Sequence, residues 1–167
     1  MILKILNVPN KLLKKKSDLV VESNEELKNI VNDMIETMYD AKGIGLSGVQ
    51  VGILRRIVVI DVAQRNEDKK DPLVFINPEI IWKSSEKELM EEGCLSVPGE
   101  RENVMRHLSV EVKYQDINLK NHKIKAEGLL SHALQHEIDH TNGVVFLDYL
   151  SKLKRDFIIN KQKKNNI

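Results

Sequence analysis

One stretch constrains this chain more than any other: Gln135-His136-Glu137-Ile138-Asp139-His140, set in an apolar run that begins near Leu129. Residues four apart share a helix face, so His136 and His140 can point at one metal ion. Glu137 follows His136 directly, where a carboxylate can reach a water on that metal. Leu130, Ala133, Leu134 and Ile138 surround the histidines. That pattern predicts a helix starting at Glu127, apolar nearly all round and therefore buried, and stopped by Asn142-Gly143.

A hydrolytic metal site takes three protein ligands and leaves one position open. His132 lies one turn before His136, but it is eight residues from His140, about 12 Å along the axis at 1.5 Å per residue. Metal–nitrogen bonds of about 2 Å do not let one ion collect both ends of that row, so His132 reads as a pocket or packing residue. An acid such as Glu127 or Asp139 would give a two-histidine carboxylate site. Cys94, between Gly93 and Leu95-Ser96, is the other candidate, either as a ligand or as a small core residue. It is the only cysteine, so no intramolecular disulfide is available and a reducing compartment is expected. A purely structural metal site would need a fourth Cys or His. An endopeptidase would want another ligand downstream of the helix, and none stands in a suitable context.

The rest of the chain reads as one domain over 1–167, long enough for a core. Ser23 and Glu26 match a capping box, followed by Leu27, Ile30, Val31, Met34, Ile35 and Met38 at helical spacing. Gly43-Ile44-Gly45-Leu46-Ser47-Gly48-Val49-Gln50 stops that helix. It reads as a turn into a strand, or as a backbone-lined edge for a peptide with Gln50 as amide donor. Strands are expected at 56–61, at 73–77 with Pro78 interrupting before 79–82 continues it or opens a neighbour, at 108–114, and at 123–126 after a turn at 118–121. Residues 64–71 read as a charged surface loop. Tyr149, Leu150, Leu153, Phe157 and Ile158 fall at the spacing of a last helix, made basic by six lysines and arginines. The fold class is therefore α+β: mostly antiparallel sheets packed around the central helix, plus a C-terminal helix. A net charge of +1 and 4% aromatic residues argue against nucleic acid as the main partner. No run spans a bilayer, the opening apolar run breaks at Pro9 too early for a signal sequence, and the cytoplasm is expected.

Three blocks occur together and in order: 43–50, Glu92-Gly93-Cys94-Leu95-Ser96, and 135–140. With Glu36-Thr37-Met38-Tyr39, Ile76-Asn77-Pro78-Glu79 and Leu147-Asp148-Tyr149-Leu150-Ser151, the chain resembles the peptide deformylases over nearly its whole length. The resemblance implies removal of the N-formyl group from formyl-methionine of new polypeptides, with release of formate. It implies Cys94, His136 and His140 as ligands of one divalent metal, iron(II) in the cell, with zinc or nickel able to replace it. It implies Glu137 as general acid/base, and the Gln50 amide and Leu95 N–H as oxyanion donors. Substrate would run along Ile44 and Gly45 as an added strand and reach Arg101. Its methionine side chain would enter a pocket near Ile44, Leu129 and His136, with His132 at the rim. Glu92 and Gly93 belong to the same wall, and Glu92 and Arg106 are expected to pair. By the same resemblance the basic last helix docks on the ribosome, and a monomer is expected. The first block more usually reads Gly-x-Gly-Leu-Ala-Ala-x-Gln. Ser47, Gly48 and Val49 depart from it, a change expected to bear on packing more than on chemistry. Thr141 stands where leucine is more usual.

Overall fold

The computed structural model describes residues 1–63 and 69–166; most of the charged loop expected at 64–71 lies outside them. The first helix, α1, is Glu25–Asp40. Its cap is Asn24, whose side chain accepts from the Leu27 N–H at 2.9 Å. The expected Ser23–Glu26 box does not form: Ser23 Oγ donates to the Ile117 carbonyl at 2.7 Å, and Glu26 pairs with Arg55 at 2.9 Å. Either residue can cap a helix, and Asn24 does so here because Ser23 is drawn to a distant carbonyl.

Among the described residues seven strands follow: β1 (Gly45–Ser47), β2 (Ile57–Ile60), β3 (Leu73–Lys83), β4 (Lys87–Cys94), β5 (Val97–His107), β6 (Ser109–Gln115) and β7 (Asn121–Glu127). Five form an antiparallel sheet in the order β1-β2-β3-β6-β7, and β4 and β5 form a separate hairpin. Helix α2 is Gly128–Thr141, and α3 is Lys152–Asn165. Alternation along β2 explains the layering. Ile57 and Val59 pack with Leu27, Val31, Met34 and Met38 of α1. Val58 and Ile60 pack with Ala133, Leu134 and Ile138 of α2. The four-residue apolar run of β2 is thus buried on both faces, each large side chain contributing about 1.5–3 kcal/mol of burial.

Two expectations are corrected. Pro78 does not interrupt its strand. Asn77 adopts φ of 51° and the register skips between Ile76 and Glu79, so the residue without an N–H falls at a bulge in a continuous β3. The residues at helical spacing from Tyr149 do not all lie on the last helix. Tyr149 ends a 3-10 turn (Phe146–Tyr149), and α3 buries Ile158 and Gln162 while Leu153 and Phe157 are 83% and 69% exposed. Ile158 belongs to a third core with Val97, Val104 and Phe146, against which Cys94 packs.

Candidate active site

Helix α2 carries the histidines through the middle of the molecule, touching β1, β2, β3, β5, β6 and β7. Gln135 donates to the His107 carbonyl at 2.8 Å and accepts from the His107 N–H at 3.0 Å, which fixes the β5–β6 junction to the helix. Asn142 and then Gly143, at φ of 76°, end the helix as expected.

Cys94, at the end of β4, meets this helix. Its Sγ lies 3.4 Å from His140 Nε2, which lies 3.3 Å from His136 Nε2, and one ligand atom from each of the three residues falls within 4.8 Å of the others. His132 is not part of this group. It is buried, with its Nε2 3.4 Å from the carboxylate of Glu88. Glu127, the last residue of β7, precedes α2 with no side-chain bond to the helix end, and Asp139 turns to Arg106 at 2.7 Å.

The group is held from behind by charge. Glu92 accepts two hydrogen bonds from Arg106, at 2.7 and 2.9 Å, and Arg106 also donates to Asp139. The Tyr149 hydroxyl donates to the same Asp139 oxygen at 2.7 Å, and its ring lies under the guanidinium at 4.7 Å. His136 Nδ1 lies 2.7 Å from Glu92 Oε1. Burial would raise Glu92, but Arg106 and His136 hold it down at about 2. An ionised Glu92 only accepts, so His136 Nδ1 carries a proton toward it and Nε2 is the ring nitrogen turned toward His140 and Cys94. Burial also opposes charge on His136, yet Cys94 and Glu92 hold it well above the ordinary histidine range, while the equally buried His140 lies well below it. A sulfur and two imidazole nitrogens thus converge around one point. That donor set and spacing fit a divalent metal with three protein ligands.

A cleft of about 730 Å³ opens over this point, between β1 and the β4–β5 turn. Cys94, Leu95, His136 and Glu137 line it, as do all the expected substrate contacts: Ile44, Gly45, Glu92, Gly93, Arg101, Leu129 and His132. Arg101 pairs with Glu91 at 2.8 Å on the exposed rim, whereas both oxygens of Glu92 are engaged by Arg106 and His136. Gln50 is almost fully buried behind the lining. Its Oε1 accepts from the Ser47 N–H at 2.9 Å, and its Nε2 donates to Ser96 Oγ at 3.1 Å and faces Cys94 Sγ at 3.5 Å. Burial pushes Glu137 upward, opposed by His136 and by Ser47. Two contributors escape sequence reasoning. Ser47 does more than pack: its hydroxyl lies 2.8 Å from Glu137 Oε2. Ser96 fixes the amide of Gln50, and its place in the second block was the available signal.

Residues 2–156 match the family of polypeptide deformylases. A peptide deformylase of Rhizobium meliloti is 45% identical over 157 residues, 94% of this chain and 90% of its own. That of Pelagibacter ubique is 48% identical over 160 residues, 96% and 92% of the two chains. The crystal structure of peptide deformylase from Ehrlichia chaffeensis superposes with a TM-score of 0.93 at 43% identity, covering 100% of this chain and 98% of that one. Its complex with actinonin gives 0.93 at 46% identity over 98% and 97%. With sequence and fold in agreement over almost all of its length, the chain belongs to the polypeptide deformylase family.

Proposed function

We propose that the chain is a metal-dependent hydrolase that removes the N-formyl group from the formyl-methionine end of newly synthesised polypeptides and releases formate. Cys94 Sγ, His136 Nε2 and His140 Nε2 hold one divalent ion, iron(II) in the cell, with zinc or nickel able to take the same ligands. The convergence of these three atoms beneath the cleft is the observation that carries the reading. Bound there, the ion supplies the charge that makes a water nucleophilic at neutral pH. Glu137 accepts that water's proton and delivers it to the leaving amine. The Gln50 amide and the Leu95 N–H face the negative charge that develops on the formyl oxygen, each donor worth about 3–4 kcal/mol in comparable sites.

The edge position of β1 supports the binding mode, since an edge strand has backbone groups ready for an added strand. The peptide lies along Ile44 and Gly45, with Arg101 on its backbone. Its methionine side chain enters near Ile44, Leu129 and His136, with His132 at the rim, and Glu92 and Gly93 form the opposite wall. No helix among the described residues is long and apolar enough to cross a membrane; work on nascent chains fits a cytoplasmic enzyme, and we read it as a monomer. Formate release from a formyl-methionyl peptide, with protein prepared without oxygen and its metal content measured, tests the reading. Wild type is expected to turn over, and Glu137→Gln to keep its metal while losing at least about 100-fold in rate. A metal-loaded wild type that releases no formate overturns it.

A further inference from the structure

Ser47 is fully buried, and its hydroxyl lies 2.8 Å from both Glu137 Oε2 and the Glu137 backbone carbonyl. Among the described residues it is the hydrogen-bond donor that reaches this carboxylate. The other oxygen, Oε1, lies 3.9 Å from His136 Nε2 and beside Gly45, both of which line the cleft, and the glycine leaves it room. The backbone N–H of the same serine donates to Gln50 Oε1 at 2.9 Å. One residue on β1 therefore grips the acid/base through its side chain and the amide donor through its main chain. The two groups come from segments 87 positions apart in sequence, and Ser47 sets the distance between them.

We propose that Ser47 is a positioning residue for the deformylation reaction: it anchors Glu137 Oε2 so that Oε1 is presented to the reacting water in a single rotamer. This rests on the reading of the site given above. A hydroxyl both donates and accepts, and here a second acceptor, the Glu137 carbonyl, stands at the same distance. Ser47 can thus stay bonded to Oε2 whichever of the two carries the proton, with no heavy atom displaced. Alanine at this position lacks the side-chain bond but keeps the N–H to Gln50, so the substitution isolates the grip on Glu137. A carboxylate free to rotate reaches the productive geometry less often, and that cost falls on turnover instead of on substrate or metal binding.

The test uses metal-loaded full-length protein and a formyl-methionyl peptide. Ser47→Ala is expected to lower kcat about three- to tenfold, the effect of one lost hydrogen bond, with KM within about twofold and metal per chain unchanged. Ser47→Thr, which restores the hydroxyl, is expected to recover most of the loss. An unchanged kcat in Ser47→Ala overturns the proposal, as does a fall that tracks lost metal or a raised KM. A threonine variant that binds metal normally yet stays as slow as alanine overturns it too; if that variant does not fold, the kcat-to-KM split of the alanine variant decides. A wild type without activity fails the functional reading itself, whereas an active wild type matched by Ser47→Ala fails this proposal alone.

Discussion

At position 45 the backbone passes so close to Glu137 that a Cβ would sit 2.7 Å from Oε1 and 2.9 Å from Cγ. Real carbon–oxygen contacts are not that short, and neither partner is a loose surface group: β1 is buried and Glu137 is held by Ser47 on its other side. Glycine is needed here for approach, not for an unusual backbone angle. Gly45→Ala is expected to keep its metal but lose on the order of 100-fold in kcat/KM, as expected when a reacting group is displaced by about 1 Å. Steady-state kinetics beside metal analysis checks this, and an alanine variant with wild-type kinetics shows that the groove yields. At this scale the sequence was legible wherever chemistry demands a residue type at a fixed spacing. His136, Glu137 and His140 share one helix, so their relation is local. Ser47 and Glu137 are 90 residues apart, and only the fold brings them together.

The β4–β5 hairpin is the element that brings Cys94 to α2, and periodicity revealed neither of its strands, least of all β5. Its segment, Val97-Pro98-Gly99-Glu100-Arg101-Glu102-Asn103-Val104-Met105-Arg106-His107, has two strand-disfavouring residues directly after Val97 and few β-branched ones. Its alternation is also disguised. Val104 and Arg106 point inward, while Met105 is half exposed. A buried arginine looks like surface in a sequence because its partners, Glu92 and Asp139, lie on other elements. This triad joins hairpin to helix and, through Glu92, orients His136. Arg106→Met is expected to leave Glu92 buried without its cation, which costs about 3–5 kcal/mol. It should also weaken metal binding about 10- to 100-fold, the usual effect of losing a partner behind a ligand. Competition with a chelator of known affinity measures the second effect. Unchanged retention would mean that Glu92 holds the imidazole unaided.

Across the whole molecule the cleft has three independent walls: the free edge of the five-stranded sheet, the hairpin, and α2 beneath them. The C-terminal helix braces one of them from outside. Ile158 is buried against Val97 and Val104, and Gln162 donates to the Pro98 carbonyl at 2.9 Å. Lys154 and Lys161 pair with Glu102 and Glu100 of β5 at 3.3 and 2.8 Å. Basic charge on α3 was legible in the sequence, but its division was not: some lysines serve the hairpin, while Lys152, Lys163 and Lys164 face solvent. Deleting residues 151–167 therefore cannot separate ribosome docking from catalysis, because it uncovers the core beside Cys94. Deletion is expected to lower the melting temperature and to slow turnover of short peptides. Replacing Lys152, Lys163 and Lys164 together by glutamate avoids that core. It is expected to leave short-peptide kinetics within about twofold while weakening co-sedimentation with ribosomes, since cation contacts to phosphate set such affinities and their salt dependence. Equal co-sedimentation of the triple variant and wild type across a salt series would remove α3's exposed lysines from any docking role. Slowed turnover in that variant would instead place them in the brace.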